Sequence, residues 1–145
     1  AYTAAMKIFL CLALSVAAWA QAATPTEEDR AAVRRAALDY VEAIYQAQPE
    51  RLDRSVHPEL SKHGFWFNDQ EARWQEAKMP FARLKAIAAT FNAAKKDSSR
   101  WPKEITVFEV MSHTANVKLV ADWGVDYLQL IKTGGEWKIL HIVWQ

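Results

Sequence analysis

The sequence predicts an α+β domain, in which a helical first half leads into a sheet of antiparallel strands. Three observations carry that expectation. Apolar residues recur at helical spacing in three segments between positions 24 and 92, and the pattern turns to that of strands after Trp101-Pro102. The chain then closes on two apolar runs flanking Gly134-Gly135. Helices in one stretch and strands in another make an α+β arrangement, and 145 residues leave room for one domain.

Residues 1–22 stand outside that domain. Ala1 to Ala5 read as a scar ahead of the natural start at Met6. Met6-Lys7 is a short basic start, "IFLCLALSV" is an apolar run, and "AQA" ending at Ala22 offers the small-x-small pattern of a signal peptidase site. The expectation is a secretory signal cleaved after Ala22, too short to be a membrane span, and a mature protein that is periplasmic or secreted. Cys11 lies inside the signal, so the mature chain, residues 23–145, holds no cysteine. Export without disulfides suits a bacterial periplasm better than a small stapled scaffold. Of the 18 Lys and Arg residues, Lys7 leaves with the signal, so 17 basic residues face 17 acidic ones. With no basic run, nucleic acid is not the expected partner.

Within the mature chain, residues 24–48 make the strongest helix. Thr24, Pro25 and Glu27 fit a capping box with proline in the first turn. Val33, Ala37, Tyr40, Val41 and Ile44 follow one helical stripe, and Arg35 and Asp39 can pair a turn apart. Pro49 opens a shorter helix that must end near His57, because Pro58 pushes its predecessor out of helical geometry. Residues 61–74 read as an irregular hairpin turning at "NDQE", with aromatic residues on both arms. Residues 80–92 form the third helix, with Phe81, Leu84, Ala88 and Phe91 as its buried stripe and Asn92 as a left-handed stop. Strands follow at 104–112 and 116–122, joined by "HTA".

The closing hairpin sets the first functional question. A Gly134-Gly135 turn places Lys132 opposite Trp137, Leu130 opposite Ile139, Leu128 opposite His141 and Asp126 opposite Val143. The other face carries Val125, Tyr127, Gln129 and Ile131 with Lys138, Leu140, Ile142 and Trp144. Both faces hold enough apolar surface to require cover, whereas an antiparallel sheet in a small monomer usually keeps one face wet. Helices can cover one face, and a second copy of the sheet is the expected cover for the other, giving a homodimer. Asp126 and His141 become diagonal neighbours, either an acid/base pair in a pocket or a structural ion pair.

The stretch "AAVRRAALDYVEAIYQAQPERLDRSVHPEL" and the closing "DYLQLIKTGGEWKIL" resemble the nuclear transport factor 2-like superfamily, and within it the bacterial group called putative lumazine-binding. The likeness covers nearly all of the mature chain. It implies a cone, in which a curved sheet wraps round three helices with a cavity between them, often dimerising through the sheet. The superfamily includes ketosteroid isomerases, polyketide cyclases and dehydratases, so the fold does not fix the chemistry.

Candidate cone-lining residues are Tyr40, His57, His63, Trp66, Trp74, Asp126 and His141. An enzyme would use Asp126 or His141 as base beside a donor such as Tyr40. Against that stands the plainer role of Tyr40 as a core aromatic and of His57 as a helix-ending residue that bonds backbone. The four histidines show no HxH or HxxxH spacing, so no metal or other cofactor is expected, and no Gly-x-Ser-x-Gly turn offers a nucleophile. The mature chain carries six tryptophans, of which Trp66, Trp74 and Trp101 lie in or beside connections. They suit the mouth of a cone and a planar or hydrophobic ligand. The expectation is therefore an exported small-molecule-binding protein. Its alternatives are an isomerase- or dehydratase-like enzyme using Asp126 and His141, and an interaction module whose cavity is filled.

Overall fold

The computed structural model describes residues 24–145, so the expected signal, its expected cleavage site and Cys11 lie outside the described residues. Helix α1 spans Glu27–Tyr45 and α2 spans Arg51–Ser55. Strand β1 (Val56–Asn68) and strand β2 (Arg73–Pro80) follow, then helix α3 (Phe81–Thr90). Strands β3 (Lys103–Val110), β4 (Thr114–Ala121), β5 (Gly124–Thr133) and β6 (Glu136–Trp144) complete the chain. One curved six-stranded sheet results, in the order β2-β1-β6-β5-β4-β3. Every pairing is antiparallel except β1 with β6, which is parallel and joins the first hairpin to the last strand.

Helix α1 lies across the inner face of this sheet and buries Val33, Ala37, Tyr40, Val41 and Ile44, the stripe its 3.6-residue period dictates. Its cap is Thr26 with Asp29, one step inside the expected Thr24 and Glu27. The Thr26 hydroxyl accepts from the Asp29 amide at 3.1 Å, and the Asp29 carboxylate accepts from the Thr26 amide at 3.2 Å. Asp29 wins because it has a second task. It also receives Lys132 Nζ at 2.7 Å and Trp137 Nε1 at 3.0 Å, which fastens the start of the helix to the β5–β6 hairpin. Asp39 pairs across the α1–α2 turn with Arg51 and Arg54 rather than with Arg35. Asn92 is not a left-handed stop. Its buried amide donates to the carbonyls of Tyr45 and Lys96, tying the end of α3 to the end of α1.

The final hairpin turns where expected. Gly134 and Gly135 both have positive φ, 58° and 83°, as a two-residue turn with the right twist requires. Lys132 pairs with Trp137 and Leu130 with Ile139 as expected. Beyond that the register shifts. Gln129 pairs with His141 and Asp126 with Trp144, so Leu140 is an extra residue in β6. This β-bulge reverses the inside-outside alternation for the rest of the strand. Ile142 and Trp144 turn inward, while His141 and Val143 turn out. The outer face keeps Phe108, Tyr127 and Val143 more than half exposed.

Candidate functional site

The inner face of the sheet holds one fully buried acid. Asp126 on β5 accepts from Tyr40 Oη of α1 at 2.7 Å, and from Lys62 Nζ of β1 at 3.1 Å on each carboxylate oxygen. Trp123 Nε1, from the turn before β5, adds a fourth contact at 3.2 Å. Lys62 Nζ also donates to Tyr40 Oη at 2.8 Å. Three of the contacts to Asp126 fall on Oδ2 and one, from Lys62, on Oδ1. Three elements thus converge on one neutral cluster, in which the charges cancel and each donor has an acceptor. That satisfies the requirement for burying charge.

The ammonium sits among π faces. The ring centroids of Trp144, Tyr40 and Trp123 lie 5.1, 5.5 and 5.9 Å from Lys62 Nζ. Burial pushes the Lys62 ammonium below the ordinary lysine range, although the Asp126 charge and its hydrogen bond oppose this. Burial first, then Asp126, raises the Tyr40 phenol well above its ordinary value, so it stays protonated.

Above the cluster lies a cavity of about 120 Å³. Tyr40, Lys62, Trp123 and Trp144 form its polar and aromatic side. Leu84 and Ile87 of α3, with Phe91 just beyond it and Met79 of β2, form the apolar side. Gly64 makes the Trp144 wall possible. A Cβ there would come 2.0 Å from the Trp144 carbonyl oxygen and 2.5 Å from its indole, so only glycine lets the ring lie across β1.

Of the seven residues expected to line the cone, the structure brings Tyr40 and Asp126 together and leaves the others elsewhere. His141 is on the outer face and exposed, because the bulge at Leu140 turns it away; the expected Asp126–His141 pair does not form. His57 is half-buried at the start of β1, where Nδ1 accepts from the Glu59 amide at 3.1 Å. His63 bonds Glu76 across the β1–β2 hairpin. Trp66 and Trp74 sit near the tip of that hairpin, 42 % and 51 % exposed, and Trp74 packs edge-on against Phe67 instead of lining the cavity. Sequence reasoning missed Lys62, Trp123 and Trp144. Lys62 was detectable in principle, since it falls between Leu60 and Gly64 on the inward parity of a strand, and a buried acid needs a cation. Among the described residues no group of three or more His, Cys, Asp or Glu converges as metal ligands. No helix among them is long and apolar enough to cross a membrane.

The sequence model of a family described as "Putative lumazine-binding" matches residues 28–145. No curated protein sequence matches. Many solved structures share the fold. One is a nuclear transport factor 2-like protein of unknown function from Silicibacter pomeroyi, 20 % identical, with a TM-score of 0.66 over 82 % of this chain and 96 % of that one. Another, of the same description, from Methylobacillus flagellatus, is 17 % identical, with a TM-score of 0.63 over 82 % and 92 %. A ketosteroid isomerase-like protein from Erwinia carotovora is 16 % identical, with a TM-score of 0.53 over 82 % and 96 %. At these identities the likeness is one of fold.

Proposed function

This chain belongs to the putative lumazine-binding family, within the nuclear transport factor 2-like superfamily, and on that premise we propose that it is an exported binding protein for a small, mainly apolar molecule. The observation that carries this reading is the cavity of about 120 Å³ over the Lys62–Asp126–Tyr40 cluster. Its walls are aromatic and aliphatic, and the charges beneath it cancel, so an uncharged ring compound is the natural occupant. A cavity of roughly 150 Å³ takes one benzene-sized molecule. At about 120 Å³ this cavity is slightly smaller, so a single ring enters with a small outward shift of α3, and a two-ring compound of the lumazine kind requires a larger one.

An isomerase-like use of Asp126 as general base has less support. Its oxygens face Lys62, Tyr40 and Trp123, so the proton within its reach is that of Lys62, and the imidazole that would relay one from a ligand lies on the other face. Dimerisation through the sheet belongs to the same proposal. Phe108, Tyr127 and Val143 form an exposed apolar outer surface that a second copy would cover.

Native mass spectrometry of the protein taken gently from the periplasm of its own host tests all parts together. The expected species is a dimer that starts at Ala23 and carries a small additional mass. Ile87→Trp, which fills the cavity from α3, is expected to remove that mass and leave the dimer. An additional mass that persists in Ile87→Trp would place the ligand outside this cavity. A bare monomer would overturn the outer-face account.

A further inference from the structure

Resting on the binding reading above, we propose that Lys62 is a reactive amine, and that the molecules the cavity takes include small aldehydes or ketones, which it holds as an imine. The geometry points to this in three ways. Lys62 is one of the residues that line an apolar cavity of about 120 Å³. A carboxylate and a phenol lie within hydrogen-bonding distance of the same nitrogen, Asp126 at 3.1 Å and Tyr40 at 2.8 Å. Three aromatic faces surround it. A purely structural partner for Asp126 would be served as well by arginine, whose fork matches both oxygens but offers no nucleophile. Lysine leaves a nitrogen that attacks carbonyl carbon once it gives up a proton.

The step balances with the groups present. The Lys62 ammonium passes a proton to Asp126 along their hydrogen bond. The freed lone pair attacks the carbonyl carbon, a C–N bond forms, and the C=O π pair moves to oxygen. That oxygen takes a proton from Tyr40, which recovers one from Asp126. The nitrogen of the adduct then gives its second proton to Asp126. The same Tyr40 relay carries it to the hydroxyl, which leaves as water as the nitrogen lone pair forms C=N. The net change joins an ammonium and a carbonyl into an iminium and one water. The positive charge stays where it began, between Asp126 and the three rings, and the one N–H that the iminium keeps still has Asp126 as its acceptor. Burial favours the amine at Lys62 relative to exposed lysines.

The test uses the full mature chain with cyclohexanone, a one-ring ketone, and cyanoborohydride, followed by peptide mapping. Lys62 is expected to carry the cyclohexyl group about tenfold above exposed lysines such as Lys78 and Lys95. Ile87→Trp is expected to abolish labelling at Lys62 and leave the exposed lysines unchanged. Labelling of exposed lysines alone would overturn the inference, as would labelling of Lys62 that survives Ile87→Trp. Native mass spectrometry of the same mixture without reductant separates the two proposals. Cyclohexanone retained but never trapped at Lys62 leaves the cavity reading standing and removes the imine. Cyclohexanone neither retained nor trapped removes both.

Discussion

Asp126 and Asp39 are both carboxylates gripped by basic side chains, yet they stand in opposite surroundings. Asp39 faces Arg51 and Arg54 at 2.8 Å on the rim of α1, where Arg54 is mostly in water. Asp126 faces Lys62 at 3.1 Å with neither side chain exposed. The shorter contacts are not thereby the stronger ones. At the rim, water screens the attraction and the long side chains lose freedom to hold it. Inside, the pair must offset the loss of hydration, which it does only with Tyr40 and Trp123 completing the shell. What distinguishes the two sites is therefore the cost of leaving one partner alone.

The sharpest way to break the comparison is to strand that partner. Asp126→Ala leaves the Lys62 ammonium and the Tyr40 hydroxyl without their acceptor in an apolar interior. The expected loss is about 3–5 kcal/mol of folding stability, read by urea denaturation. Lys62→Met combined with Asp126→Leu is expected to restore much of it, since the cluster is then apolar throughout. A double variant no better than the single would show that the polar shell itself holds α1, β1 and β5 in place.

Gly64→Ala probes the wall of the same interior without touching a charge. The new Cβ meets the Trp144 backbone and indole below any tolerated distance, so β1 and β6 must separate or the ring must turn. The expected loss is about 1–3 kcal/mol, together with a shift in tryptophan emission. An unchanged spectrum would mean that Trp144 does not lie across β1.

The rim gives the smallest effect. Arg54→Ala is expected to leave the denaturation midpoint at neutral pH nearly unchanged, as exposed pairs generally do. Acid reveals what the rim does contribute. The Arg54 hydrogen bond holds the Asp39 carboxyl below its ordinary range, against burial. Burial alone would raise Glu42, but Lys103 and Arg51 leave it lowered. Hydrogen bonds from Lys132, then Trp137 and Thr26, lower Asp29. Depressed carboxyls contribute stability that is complete above their unfolded values and is lost as pH falls through the folded ones. The urea midpoint is thus expected to hold down to about pH 5 and to fall below about pH 4. A midpoint that falls already between pH 7 and pH 5 would assign the acid sensitivity to other groups.

What could be read from the sequence follows from the range of the forces involved. The stripe of α1, the Gly-Gly turn and the alternation of β4 are set by neighbours a few residues apart, and each is present in the fold. So is the need of Asp126 for a partner, which follows from its place among Leu128, Ile139 and other apolar residues. The identity of that partner does not follow. Lys62 is 64 positions away along the chain and arrives through the parallel pairing of β1 with β6, which no local pattern announces. His63, Trp66 and Trp74 carried the opposite lesson. Residues suited to a pocket by chemistry are left outside by the hairpin that holds them.

Leu140 has a consequence that reaches past its own strand. A strand counts in twos, and one supernumerary residue acts as a change of phase for all that follow. Were Leu140 instead taken into the ladder opposite Gln129, with no bulge, His141 would turn inward opposite Leu128, on the face of Asp126, and Trp144 would swing out of the cavity wall to face the surroundings. The same atoms would then present an imidazole and a carboxylate to whatever the cavity holds, with no side chain altered. The backbone thereby acts as a selector between two interiors written in one sequence, and it is set by whether one residue of a nine-residue strand joins the ladder.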